Sequence, residues 1–259
     1  MTNLALSIQT GLSGLSFCVK DTASNSFEHY IEHPTLDNNS PESLLKDLIN
    51  AFESNPALQT EFDSVRVIHD NALSSIVPLE ILDPEKLGDY LKFNVALLPD
   101  DFVAYDELNN LNCAVVFVPF VNINNYVYEH FGSFEYHHQS SILLQRLQSL
   151  SANDDEKVLR LHIQEKYFDA ICFKGDQLIC YNRFNHQTPH DFLFYLLFLV
   201  EQLGLDPEKV TCELFGKVDE MSPCYKEAYN YIRHTNLLKP KVETNLINLK
   251  KNFVALNSF

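Results

Sequence analysis

The chain has 259 residues, 46% hydrophobic and 21% charged, which excludes a disordered polymer and leaves room for one large domain or two of roughly 100–150 residues. A formal net charge of −16 repels polyanions, so nucleic-acid binding is not expected. Only seven glycines are present, which leaves few places where backbone can wrap closely round a phosphate. The densest basic group, Lys239, Lys241, Lys250 and Lys251, reads as a solvated face near the end of the chain.

None of the six cysteines forms a C-x-x-C motif, and residues such as Cys18 sit in apolar runs, so they read as reduced, buried small hydrophobes. The opening Met1-Thr2-Asn3-Leu4 carries no charged leader pattern. The longest apolar run, residues 192–200, is shorter than a bilayer requires. Membrane insertion is therefore not expected, and the cytoplasm is the expected compartment.

Residues 4–8 set Leu4, Leu6 and Ile8 against Ala5 and Ser7, a period of two that predicts a strand. Residues 10–14 predict a turn, and 15–20 and 27–32 two further strands. Ser40-Pro41-Glu42 supplies an N-cap, a proline at the first helical position and an early acid. Leu44, Leu45, Leu48, Ile49 and Phe52 continue it as an amphipathic helix, and residues 65–68 predict a short strand. The opening is thus β-β-β-α-β.

Asp83-Pro84 starts a predicted helix extending to residue 93. Residues 102–107 and 114–119 predict strands joined by the polar turn Asn109-Asn110-Leu111-Asn112, and 122–131 and 140–150 predict helices. The polar stretch 151–156 is the expected domain boundary, dividing the chain into 1–150 and 151–259.

The opening pattern then returns. Residues 158–163, 168–174 and 177–184 predict three strands, the last two joined by a tight turn at Gly175-Asp176. Thr188-Pro189 opens a long apolar helix to residue 204, expected to be buried on most sides. A strand at 210–215, a helix at 223–234 and a last strand at 242–246 complete a β-β-β-α-β-α(-β) half. Letters repeat as well as pattern: Leu4-Ala5-Leu6-Ser7-Ile8-Gln9 and Leu159-Arg160-Leu161-His162-Ile163-Gln164 share L-x-L-x-I-Q. Phe17-Cys18-Val19-Lys20 and Ile171-Cys172-Phe173-Lys174 follow on the next strands, which predicts an internal duplication.

A duplicated β-β-β-α-β-α unit opened by a hairpin in each half resembles the two ribonuclease-H-like halves of the actin-like ATPase fold. The nearest resemblance is to a bacterial family of unknown function assigned to that fold. It is more distantly similar to pilus-assembly and cell-division actin-like proteins. In active members of the superfamily each hairpin carries Asp-x-Gly, whose turn amides cradle phosphate and whose carboxylate holds magnesium or orients water.

Here the first hairpin carries Gln9, Gly11 and Ser13, with no acid anywhere in residues 4–19, although Gly11 and Gly14 retain an anion-friendly turn. In the second, His162 falls where the superfamily has Asp and Gln164 where it has Gly; Glu165 and Asp169 are out of register. The strand ending Phe215-Gly216-Lys217 resembles the one that leads into an adenosine-binding Gly-Gly, with only Gly216 kept. The resemblance therefore implies a pseudo-ATPase with no cofactor and no turnover.

Other groupings have plainer readings. His130, His137 and His138 lie near Glu129 and Glu135, but adjacent strand residues face opposite sides, so a shared metal is not expected. Thr188 between His186 and His190 reads as a helix cap rather than part of a catalytic pair. The aromatic runs 117–121 and 192–195 are expected in the core, and Tyr126, Tyr128, Tyr225, Tyr229 and Tyr231 are candidate interface anchors. The leading expectation is a non-catalytic scaffold that binds another protein. The alternatives are a divergent nucleotide-dependent phosphotransferase or hydrolase using Glu165 or Asp169, and a small-molecule sensor using the cleft expected between the halves.

Overall fold

The computed structural model describes residues 3–11, 14–34, 40–93, 96–98, 101–151, 156–239, 242 and 244–259. In chain order the elements are β1 (Leu4–Gly11), β2 (Gly14–Asp21), β3 (Ser26–His33), α1 (Pro41–Ser54), β4 (Ser64–Asp70), β5 (Ser74–Pro78) and α2 (Leu87–Leu91). They continue with β6 (Ala104–Leu108), β7 (Cys113–Phe117), α3 (Val121–Phe131), β8 (Glu135–His138) and α4 (Gln139–Ser151). The remainder are β9 (Lys157–Ile163), β10 (Tyr167–Lys174), β11 (Gln177–Asn185), α5 (Pro189–Gln202), β12 (Thr211–Gly216), α6 (Pro223–Tyr231) and β13 (His234–Leu237). The chain forms two compact units, one of Met1–Leu143, Thr244–Leu249 and Val254–Phe259, the other of Leu144–Glu243 and Lys250–Phe253.

The two units repeat one topology. The first sheet runs β3-β2-β1-β4-β8 and the second β11-β10-β9-β12-β13. In each, the opening hairpin is antiparallel and the last two strands join in parallel. A parallel neighbour requires a crossover, which α1 supplies between β3 and β4 and α5 between β11 and β12. The first unit carries an insertion that the second lacks: a small sheet, β5-β7-β6, between β4 and α3.

The duplication extends to individual core positions. Leu44, Leu48, Ala51 and Phe52 of α1 are buried, as are Phe192, Leu196, Leu199 and Val200 of α5 at the same distances from the opening prolines. In the first unit these meet Leu6, Ile8, Phe17 and Val19, and in the second Leu159, Leu161, Phe168 and Cys172. Each fully buried leucine or phenylalanine contributes about 1.5–3 kcal/mol relative to exposure.

Several local expectations need correction. Thr10 and Gly11 are strand residues, because the β1–β2 ladder pairs all the way to Gly11 opposite Gly14. The helix expected from Asp83 is a short 3-10 turn followed by five-residue α2. β5 and β8 were not expected; β8 is four residues, too short to show a period. Helix α6 stops at Tyr231, because Ile232 turns extended and 234–237 pair in parallel with β12. The fifth strand is therefore β13, and the described residues at 242–246 form none. The 152–155 part of the expected boundary lies outside the described residues.

Helix α5 is apolar but not buried all round: Phe192 is in the core, whereas Phe194 and Phe198 point to solvent. Its start is held by a capping box, with Thr188 Oγ1 accepting from the Asp191 amide at 3.1 Å and Asp191 accepting from the Thr188 amide at 2.9 Å. Thr188→Ala is expected to destabilise the protein by about 1 kcal/mol in urea unfolding, with an unchanged m-value.

Candidate functional site

The ends of the two opening hairpins are the positions where the superfamily resemblance places chemistry. Counted back from the turns, they correspond closely. Gln9 pairs with Ser16 two rungs before Gly11–Gly14. His162 pairs with Asp169 two rungs before the Gln164–Tyr167 turn, which a 2.9 Å backbone bond from the Gln164 amide closes. Gln9 is thus the structural counterpart of His162. The shared letters L-x-L-x-I-Q run two residues out of step with this alignment. A slip of two preserves which face each side chain takes, so the repeat survives in composition while the turns set the register.

In the second unit the hairpin end is filled from within. His162 and Asp169 are fully buried. His162 Nδ1 donates to Asp169 Oδ2 at 3.1 Å, and its Nε2 accepts from the Gln164 side-chain Nε2 at 2.8 Å. Phe215 stacks on the imidazole with centroids 5.1 Å apart. The other Asp169 oxygen accepts from the Tyr181 hydroxyl at 2.9 Å and from Arg183 Nε at 2.7 Å. Burial pushes the Asp169 carboxyl up, but the Arg183 guanidinium and His162 together hold it well below the usual carboxylate range. Asp169 is therefore a structural anion locked in an ion pair, and Glu165 lies exposed on the turn.

Gly216 has a local structural role. Its φ is +96°, and a Cβ there would lie 2.5 Å from the Ile163 carbonyl oxygen and 3.0 Å from the His162 ring. The next residue, Lys217, donates its amide to that same carbonyl at 2.8 Å. The retained glycine lets β12 end tightly against β9 beside His162.

The first unit fills the equivalent place differently. Gln9 Nε2 donates to Gln139 Oε1 at 2.8 Å, and Ser16 Oγ donates to Gln9 Oε1 at 3.4 Å. Buried Gln139 is the first residue of α4. Beside it, the Phe120 amide donates to His69 Nδ1 at 3.3 Å, so Nε2 carries the proton to Asn124 at 3.0 Å. Burial brings the His69 pKa down to about 4 against the weaker opposing pull of Asn124 and Asp106, so the ring is neutral at pH 7.

One acid does reach this hairpin. Asp70 ends β4 opposite Gly11, and a Cβ on Gly11 would lie 3.0 Å from the Asp70 carbonyl oxygen and 3.4 Å from its Oδ2. Asp70 was not among the expected site residues, because it is 59 positions along the chain from Gly11 and joins it only through parallel pairing. It lies two residues past the strand expected over 65–68, whose neighbour in the sheet no local signal specifies. Ser13 lies outside the described residues.

The clustered histidines 130, 137 and 138 have partners of their own, whereas the buried Nε2 of His186 has no hydrogen-bond partner among the described residues. His137 Nδ1 meets Asp106 Oδ1 at 2.9 Å, the His138 amide donates to Asp106 Oδ2 at 2.8 Å, and His130 stacks on Tyr126 at 5.7 Å. Among the described residues no group of three His, Cys, Asp or Glu side chains is placed to hold a metal ion. Of the tyrosine anchors, Tyr128, Tyr229 and Tyr231 are exposed, while Tyr126 and Tyr225 are half-buried. Among the described residues no helix is long and apolar enough to cross a membrane.

Two sheets of like strand order, each opened by a hairpin and crossed by a capped helix, make up the framework. Residues 1–235 match the sequence profile of DUF3822, a protein of unknown function. The chain belongs to the DUF3822 family. No curated protein matches it by sequence. In structure it is similar to a Bacteroides thetaiotaomicron protein with an actin-like ATPase fold and unknown function. That likeness has a TM-score of 0.85 at 20% identity, covering 100% of this chain and 96% of the other. It is also similar to a chain of the PilM–PilN type IV pilus biogenesis complex, with a TM-score of 0.64 at 12% identity, covering 97% and 96%. The DUF3822 chain thus has an actin-like ATPase fold.

Asp169→Asn removes the buried negative charge that Arg183 and His162 face and is expected to destabilise the protein by about 3 kcal/mol at pH 7. Because the folded Asp169 is more acidic than in the unfolded chain, its contribution is complete above pH ~4 and shrinks below it, so the gap between wild type and variant should narrow there. Urea titrations across that range check both sign and window. Gly216→Ala combines a positive φ with a backbone clash and should lose about 2 kcal/mol or more in the same assay.

Proposed function

We propose that this member of the DUF3822 family is a non-catalytic actin-like scaffold of the cytoplasm that works by binding another protein. The observation carrying it is His162. At the place where active superfamily members present an acid to nucleotide, this chain has a fully buried imidazole bonded through both ring nitrogens to its own side chains. Ligand chemistry there would have to break the Asp169 and Gln164 bonds and move Phe215. A solved complex of PilM with PilN, of the same fold, supports use of this framework for protein partners.

Asp70 favours a second reading, a divergent nucleotide-dependent phosphotransferase or hydrolase. A carboxylate beside Gly11 is the type of group that anchors magnesium, directly or through water.

Thermal unfolding with ATP, ADP or GTP, with and without magnesium, separates the two. The scaffold predicts a shift below about 1 °C. A ligand at a hundredfold excess over its Kd would add about 2.7 kcal/mol, which for a chain of this size is roughly 5–10 °C. A magnesium-dependent rise of that order, lost in Asp70→Asn, would establish the nucleotide reading instead.

A further inference from the structure

The duplication supplies an internal control for what the fold requires of a crossover helix. Helices α1 and α5 each follow a hydroxyl N-cap and an N-terminal proline, and they bury corresponding positions. Their outward faces differ. Where α1 exposes Lys46 and Asn50, α5 exposes Phe194 and Phe198 at the corresponding positions, 65% and 45% accessible. The framework is thus built in the first unit with a polar stripe, so the packing of the sheet does not demand two phenylalanines facing water.

The two rings lie four residues apart on one face and together present on the order of 200 Å² of apolar surface. That is well short of the ~800 Å² per partner of a standard interface. A second copy is further disfavoured because each would bring a net charge of −16. The same charge opposes an anionic lipid surface. Helix α5 itself carries Asp191 and exposed Glu201 but no lysine or arginine. Charge complementarity therefore selects an apolar segment with cationic flanks.

We propose that the Phe194–Phe198 stripe of α5 is a docking surface for a short amphipathic segment of another protein, apolar on one face and basic at its edges. The segment seats its apolar side chains against the two rings, which act as the anchors, and sets its cations toward Glu201 and the acidic surface. This rests on the protein-binding reading above, but the two fail separately. Nucleotide-dependent stabilisation would remove that reading without touching the stripe.

The test uses the full chain and a synthetic amphipathic helix of about 15 residues made of Leu and Lys, with a Leu and Glu twin as control. Binding is read by calorimetry for the wild type and for the charge-neutral double variant Phe194→Gln/Phe198→Asn. Both positions are exposed, so the variant should keep the wild-type Tm. The proposal expects the Leu–Lys peptide to bind, the Leu–Glu peptide not to, and the double variant to bind the first about tenfold or more weakly. Equal binding by wild type and variant overturns it, as does equal binding of the two peptides or binding of neither. Concentration-dependent self-association lost in the double variant would overturn it in favour of a second copy.

Discussion

A carboxylate enclosed in a sheet must be compensated where it stands, and Asp169 organises the second unit's hairpin end around that requirement. Arg183 and Tyr181 from β11 satisfy one of its oxygens. His162 from β9 satisfies the other together with Arg183 Nη2 at 3.3 Å. Once Nδ1 of the imidazole is committed to Asp169, Nε2 faces Gln164 and the ring faces Phe215. The tight approach of Gly216 follows from the same arrangement, since its missing side chain is what leaves room for Ile163 and His162. Neighbouring residues on three strands are thereby tied to one buried charge.

The first unit surrounds the equivalent residue, Gln9, with neutral side chains. Gln9, Ser16 and Gln139 bond as neutral groups, and His69 is held uncharged by its burial. Two copies of one framework have filled the same hairpin position with different polar chemistry. That is the behaviour expected when the sheet topology is constrained by core burial and the polar residues at the strand ends are not. The outward faces of α1 and α5 diverge for the same reason: their buried positions correspond, while their solvent positions are free to carry other functions.

Much of the framework was legible in the chain. The strands expected at 4–8 and 158–163 became β1 and β9, and the caps at Ser40 and Thr188 open α1 and α5 where expected. These signals are local, a few residues long and dictated by backbone geometry. What was misplaced depended on pairing. The four-residue strands β8 and β13 are extended because a parallel neighbour holds them, and neither is long enough to declare a period. The apolar run of α5 could not reveal that Phe192 points inward and Phe194 outward, because both letters are the same and only packing separates them.

The candidate site divides in the same way. The residues alone exposed the lack of acids in 4–19, and the superfamily resemblance placed His162 and Gln164 at the second hairpin. Tertiary structure decided that Asp169 is an ion-paired strut, that Gly216 serves backbone packing, and that Asp70 comes to lie beside Gly11. The physical reason is that residue identity and local period are properties of the chain, whereas hydrogen-bond partners, burial and charge compensation exist only after distant strands have been laid side by side.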